Sequence, residues 1–290
     1  MLVSGKEILK IAHERNFAIP AFNAGSGQLL EGVMRACENL NSPVIIAIHP
    51  DELSFLTDSF VDQVKYYANN TTLPVCIHLD HGATFEQVIH AIQLGFTSVM
   101  IDASHMDFED NIEISKKVVE AAHAVDVSVE AELGTIGDTG DSIEGGVTEI
   151  IYTDPEVAKE FVTRTNVDSL AVAVGTAHGL YPENMKPKLK LELIDQIAEK
   201  IDVPLVLHGG SSNPDEEIKV AVTKGINKIN ISSDIKIAFY EQMKVVMEND
   251  RKELREPNVI FPSCIEATQK VAEEKINLFN SADKAKYYYK

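Results

Sequence analysis

The sequence predicts an α/β fold, a (β/α)8 or TIM barrel with additional C-terminal helices, on three observations. Short β-branched runs recur about eight times, amphipathic stretches separate them, and 290 residues slightly exceed the roughly 250 that one such barrel uses. The runs are apolar almost throughout, which implies burial on both faces, and their alternation with helices implies a parallel sheet. Residues 1–290 therefore read as a single barrel domain, with 234–290 as a C-terminal helical extension.

The predicted strands, in order, are Ile19 to Asn23, Val44 to His49, Val75 to Asp80, Ser98 to Ser104, Val127 to Glu132, Leu170 to Gly175, Leu205 to Gly209 and Lys228 to Ser233. Pro43, Pro74 and Pro204 stand just before three of them, where a missing N–H is tolerated. Apolar residues at helical spacing predict helices at Phe85 to Leu94, Ile112 to Ala124, Pro155 to Thr165, Leu191 to Lys200 and Glu216 to Lys224. Thr153-Asp154-Pro155 supplies a capping residue and a first-turn proline for the third of these. The N-terminus, with Lys6, Glu7, Lys10, Glu14 and Arg15 among apolar residues, reads as an amphipathic helix rather than a secretory signal. From Asp234 onward the chain is helical in character, with extra helices expected at a subunit interface and a polar tail, Ser281 to Lys290, expected to fray.

Composition narrows the function. With 26 basic and 45 acidic side chains the net charge is -19, which opposes binding to nucleic acid or to an anionic membrane surface. An anionic substrate must then be held by local devices: a metal, backbone N–H groups or individual cations. No apolar stretch approaches the roughly 20 residues that span a bilayer. Cys37, Cys76 and Cys264 are odd in number and widely spaced, which fits neither a disulfide framework nor a CxxC metal knuckle. A cytoplasmic location is expected.

Enzymes of this fold carry their chemistry at the C-terminal ends of the strands. The residues there are polar: Asn23, His49, Asp80, His81, Asp102, Ser104, Glu132, His178, His208, Asn230 and Ser232. Any one of the histidines, taken alone, reads as a hydrogen-bonded structural residue. Together His81, His178 and His208, following the third, sixth and seventh strands, match the ligand type and number of a catalytic Zn2+ with an open position. Gly209, Gly210 and Ser211, and Asn230 to Ser233 at the start of the last helix, can turn N–H groups toward a phosphate. Ordinary turn chemistry would explain either segment by itself; the pair beside the histidines favours phosphate.

These residues resemble the class II, metal-dependent ketose-bisphosphate aldolases, the family of fructose-bisphosphate and tagatose-bisphosphate aldolases. The resemblance runs from Pro20-Ala21-Phe22-Asn23 through Asp80-His81-Gly82, Glu130-Ala131-Glu132-Leu133-Gly134, Tyr152-Thr153-Asp154-Pro155 and Asp168-Ser169-Leu170-Ala171. It continues through Gly175 to Tyr181, Leu207-His208-Gly209-Gly210-Ser211 and Lys228-Ile229-Asn230. It implies that His81, His178 and His208 bind zinc, that Asp80 transfers the proton, and that Gly179, Gly209, Ser211, Asn230, Ser232 and Ser233 surround dihydroxyacetone phosphate. Asn23 joins them as a substrate-binding candidate. Asp102 and Glu132 match acidic positions near an alternative metal location, and read equally well as hydrogen-bond partners of the ligands. Zn2+ is the expected cofactor, with a monovalent cation as a second candidate, and a homodimer or homotetramer is the expected assembly.

The expected reaction is reversible cleavage of a phosphorylated ketose to dihydroxyacetone phosphate and an aldehyde. A lysine Schiff base would serve the same chemistry, but no lysine closes a predicted strand; Lys228 begins one and is expected at the opposite face. The chain departs from the family in three places. Gly140 stands where many relatives have a loop glutamate, with Asp138, Asp141 and Glu144 nearby. Pro182 follows Tyr181 where many have a lysine, leaving Lys186 or Lys188 as substitutes. Glu256-Pro257-Asn258 replaces an Asp-Pro-Arg, and an Asn lacks the charged fork that grips a distal phosphate, although Arg251 or Arg255 can compensate. Two other readings are a noncatalytic barrel that stabilises an aldolase partner and a metal-dependent hydrolase.

Overall fold

The computed structural model describes residues 1–138, 150–179, 188–248 and 256–289. Eight parallel strands close a barrel: β1 (Ile19–Asn23), β2 (Val44–Ile48), β3 (Val75–Gly82), β4 (Ser98–Ile101), β5 (Ser128–Leu133), β7 (Ser169–Val172), β9 (Leu205–Leu207) and β10 (Ile226–Ile231). They neighbour one another in chain order, with β10 closing on β1. Two short parallel pieces at the mouth, β6 (Gly137–Asp138) and β8 (Ala177–His178), pair with each other outside the barrel. Two-residue pieces carry no periodic signal, and the sequence did not announce them.

A helical segment follows each barrel strand. These are α2 (Gly27–Asn39), α3 (Pro50–Leu56) with α4 (Ser59–Asn70), α5 (Phe85–Leu94), α6 (Phe108–His123), α7 (Pro155–Thr165), α8 (Leu191–Ala198), α9 (Asp215–Thr223) and α10 (Ser233–Glu248). Their starts have chemical causes. Thr84 accepts from the Gln87 N–H, and Asp154 accepts from Glu156 and Val157 ahead of Pro155. One more long helix, α11 (Pro257–Leu278), packs on α2 and α10.

Every barrel strand is buried along its length, and period two sorts its side chains. On β3, Val75, Ile77 and Leu79 face the helices, while Cys76, His78 and Asp80 face the barrel axis. The axis is apolar at the N-terminal end, where Ile19, Ala21, Ile45 and Cys76 meet Ile8, Leu9 and Ala12 of α1 (Gly5–Arg15). Burying one such leucine or isoleucine contributes roughly 1.5–3 kcal/mol. The α1 helix begins with a capping box between Ser4 and Glu7 and approaches so closely that a Cβ on Gly5 would stand 2.7 Å from the Oγ atoms of Ser98 and Ser128. It plugs this end of the barrel.

Over its described residues, 281–289, the tail does not fray; Lys290 lies outside them. Ser42 Oγ donates to Ser281 Oγ at 2.9 Å, Ala285 is fully buried, and the Tyr288 hydroxyl donates to the Ile8 carbonyl at 2.7 Å. Its polar letters concealed a tertiary anchor to α1. Among the described residues no helix is long and apolar enough to cross a membrane.

Candidate active site and metal centre

At the C-terminal end of β3, neighbours Asp80 and His81 both reach the barrel mouth, which regular pleating forbids. The exception has a visible cause: His81 takes φ 49°, in the left-handed region, where the β3–β4 register shifts between Leu79 and Gly82. That conformation costs a non-glycine residue about 1–2 kcal/mol. His178 is delivered by β8, and His208 directly follows β9. Beyond it Gly209 takes φ 59°, and a Cβ there would fall against the Ala177 carbonyl oxygen. Only glycine lets this turn lie against the strand carrying His178.

The three histidines meet. Ring centroids are 5.0 Å apart for His81 and His178, 4.6 Å for His81 and His208, and 6.1 Å for His178 and His208. One ring nitrogen from each lies within 4.8 Å of the other two, and all three residues are buried. His81 Nδ1 stands 2.8 Å from Asp102 Oδ2, while its Nε2 is buried with no hydrogen-bond partner. In His208 the nitrogens exchange roles: Nε2 stands 2.9 Å from Glu130 Oε1, and Nδ1 has no partner. His208 Nδ1 and Glu132 Oε2 are 2.9 Å apart but off the direction of a hydrogen bond, so both remain unpartnered.

A buried nitrogen or carboxylate oxygen without a partner is costly, roughly 1–3 kcal/mol. Imidazole nitrogens and a carboxylate oxygen gathered in one pocket, with carboxylates behind two of the imidazoles, are the donor set that a divalent cation of the zinc type takes once it displaces the ring protons. The residues fit such an ion. Of the two expected acids, Asp102 has both oxygens engaged, one by His81 and the other by the Ser104 N–H and hydroxyl at 3.1 and 2.7 Å. It therefore fixes the His81 ring, whereas Glu132 presents an oxygen without a hydrogen bond.

Burial lowers the pKa of His81, but the Asp80 charge and the Asp102 hydrogen bond override it and push it up to about 10. Burial raises Asp80, yet the His81, Lys228 and His208 charges bring it well below the usual carboxylate range. Asp80 is accordingly ionised, and two carboxamides hold it: Asn23 donates to Oδ2 at 2.8 Å and Asn230 to Oδ1 at 2.9 Å. Those asparagines, expected to touch substrate, give their NH2 groups to Asp80 and keep an unpartnered Oδ1 each.

At the expected phosphate end, Ser211 and Ser232 are buried, Gly209 is half-buried and Ser233 opens α10. Ser211 Oγ accepts from the Asp234 N–H at 3.4 Å. Ser232 Oγ accepts from Lys236 Nζ at 2.8 Å, and that ammonium also pairs with the buried Glu52 at 2.7 Å. Asn213 donates to the Gly209 and Ser211 carbonyls and fixes the turn between them. Gly179, at φ 93°, is buried at the edge of a described segment. Asn258 is exposed in the first turn of α11, and Lys188 is exposed. Gly140, Asp141, Glu144, Pro182, Lys186, Arg251 and Arg255 lie outside the described residues.

Lys228 requires a correction. It does not begin its strand or face the opposite end; it is the third residue of β10, fully buried on the barrel axis, with Nζ 2.8 Å from both oxygens of Glu130. The same ammonium stands 3.3 Å from His78 Nε2, and His78 Nδ1 stands 2.8 Å from Ser98 Oγ. Burial and the Lys228 charge depress the His78 pKa to about 3, so this imidazole is neutral. Neither Glu130 nor Lys228 stood among the predicted site residues. The available signal was period two, since Glu130 and Glu132, like Lys228 and Asn230, must face the same way.

Known proteins resemble this chain along nearly its whole length. The family model for class-II fructose-bisphosphate aldolase matches residues 3–284. The chain is 36% identical to a fructose-bisphosphate aldolase of Thermus caldophilus, covering 98% of this chain and all of that one. It is 38% identical to the D-tagatose-1,6-bisphosphate aldolase subunit GatY of Klebsiella oxytoca, over 96% of this chain and 97% of that protein. The crystal structure of the YdjI aldolase from Escherichia coli K12 superposes with a TM-score of 0.85 at 36% identity, covering 98% of this chain and all of that one.

Proposed function

The chain belongs to the class-II fructose-bisphosphate aldolase family, and from that premise we propose how its mouth residues divide the work. It is a lyase that cleaves a ketose bisphosphate reversibly, with dihydroxyacetone phosphate as one product. His81, His178 and His208 are the zinc ligands, with Asp102 and Glu130 orienting two of them. Zn2+ bound there supplies a Lewis acid that stabilises the electron pair left on C3 when the C3–C4 bond breaks. The carboxylate of Asp80, ionised and aimed by two asparagines, accepts the C4 hydroxyl proton as C4 becomes the aldehyde. In synthesis the same oxygen returns that proton. Gly179, Gly209, Ser211, Ser232 and Ser233 surround the phosphate, where the first turn of α10 contributes N–H groups. The Oδ1 atoms of Asn23 and Asn230 accept from substrate hydroxyls.

One observation carries this reading: three buried imidazoles converge with unpartnered nitrogens on His81 and His208, and Asp80, whose two oxygens each accept from an asparagine, lies immediately before His81 in the chain. A coupled assay for dihydroxyacetone phosphate tests it. Chelation should abolish product release and added Zn2+ restore it; full activity in metal-free protein would sink the assignment. Asn258, in place of a charged fork, favours an aldehyde half that is unphosphorylated or differently charged, so a ketose 1-phosphate is a second substrate class. Steady-state kinetics on matched mono- and bisphosphates decide, and a strong bisphosphate preference refutes that part. A cytoplasmic homodimer or homotetramer is the assembly we propose.

A further inference from the structure

Glu130 lies between two cationic or proton-bearing groups. Lys228 Nζ is 2.8 Å from each of its oxygens, and His208 Nε2 is 2.9 Å from Oε1. The three side chains are each at most 1% exposed. With His78 Nε2 as a third acceptor, every N–H of the Lys228 ammonium is used, so its position is over-determined. An ionised carboxylate only accepts hydrogen bonds, and therefore the Glu130 contact places a proton on His208 Nε2. Once that imidazole gives up its second proton, as binding a metal ion requires, its lone pair lies on Nδ1, the nitrogen without a hydrogen-bond partner. A rival acceptor stands on that side, Glu132 Oε2 at 2.9 Å, poorly directed. The choice of tautomer thus turns on how firmly Glu130 is held at its station.

We propose that Lys228 is a positioning residue for the metal centre: by clamping both oxygens of Glu130 it commits His208 to the tautomer whose Nδ1 lone pair is open to a metal ion. The inference rests on the reading of His208 as a ligand. It gives a role to a buried lysine whose ammonium is used up by Glu130 and His78, and explains why a strand that delivers Asn230 to Asp80 also carries a cation two residues earlier.

Two measurements test it, with Zn2+ alone as the probe. In the zinc-loaded wild-type protein labelled with 15N-histidine, the His208 ring should show a proton on Nε2 and coordination through Nδ1; the reverse assignment overturns the proposal without any variant. Zinc dissociation constants come next. Lys228→Met should weaken zinc binding roughly 10–100-fold, the range for residues that orient ligands. Lys228→Arg, which keeps a buried cation beside Glu130, should recover most of the loss. A Lys228→Met protein that binds zinc as wild type does, with the same His208 tautomer, overturns the proposal while leaving the ligand assignment intact. If the wild-type protein binds no zinc, the ligand assignment fails and takes this inference with it.

Discussion

Two polar layers cross the same barrel axis two residues apart, and they differ in one respect. In the lower layer His78, Glu130 and Lys228, with Ser98, leave no side-chain nitrogen or oxygen without a partner. In the upper layer Asn23, His81, Glu132, His208 and Asn230 each keep one buried atom unpartnered. Residue types and burial are nearly the same in both. A barrel that needed polar groups only for its own cohesion would resemble the lower layer throughout, because buried polar atoms are ordinarily paired. A concentration of unsatisfied valence, rather than polarity, sets the upper layer apart. The layers are joined by strand geometry: His78 and Asp80, Glu130 and Glu132, and Lys228 and Asn230 are i, i+2 pairs, so each strand sets a lower-layer residue beneath an upper-layer one.

Substitutions can break this division. The largest effect is expected in the upper layer. Asp80→Asn removes the proton acceptor and should lower turnover roughly 10²–10⁴-fold, the usual share of general acid–base catalysis. Bound zinc, measured by elemental analysis, should stay at the wild-type level. Normal turnover would exclude Asp80 from proton transfer. Below it, Lys228→Ala leaves the Glu130 carboxylate buried without its cation, and loss of one partner of a buried pair costs about 3–5 kcal/mol. Urea unfolding of metal-free protein reads this directly. A change under 1 kcal/mol would mean that the lower layer is not held by its ion pair.

A smaller effect sharpens the boundary between the layers. Asp102→Asn preserves shape but weakens the acceptor behind His81 Nδ1, and zinc affinity should fall about 10–100-fold. Catalytic loss restored by excess zinc would agree. If affinity is unchanged and only substrate KM rises, Asp102 belongs to the substrate rather than to His81.

How much of this the sequence carried depends on the distance over which each signal acts. The eight strands and helices such as Phe85–Leu94 and Pro155–Thr165 were legible because periodicity and capping are local. His81, His178 and His208 were legible as strand-end residues, since the fold dictates which ends converge. The Lys228–Glu130 contact was not, because it joins residues 98 positions apart at a height set by barrel stagger, which no single strand encodes. The left-handed turn at His81, which brings adjacent side chains to one mouth, leaves no mark in composition either. The anchoring of Tyr288 on Ile8 was hidden for the same reason.

The last expected effect concerns pH and is read at His78, in the lower layer. His78 in the folded protein titrates near pH 3, against 6.5 when unexposed to such an environment, because burial and Lys228 disfavour its cation. Below pH 6.5 the unfolded chain therefore binds a proton that the folded chain refuses, and stability must fall as pH falls. The contribution is complete above pH 6.5 and is lost progressively toward pH 3, at no more than about 1.4 kcal/mol per pH unit for one group. Urea midpoints of the chelator-treated protein should decline between pH 6.5 and 4.5, with ligand protonation then separated from metal release. His78→Gln, which cannot take up the proton in either state, should decline less steeply across that window. Parallel slopes for the two proteins would show that the refused proton is not on His78, and the paired layer would lose its claim to be a closed electrostatic unit.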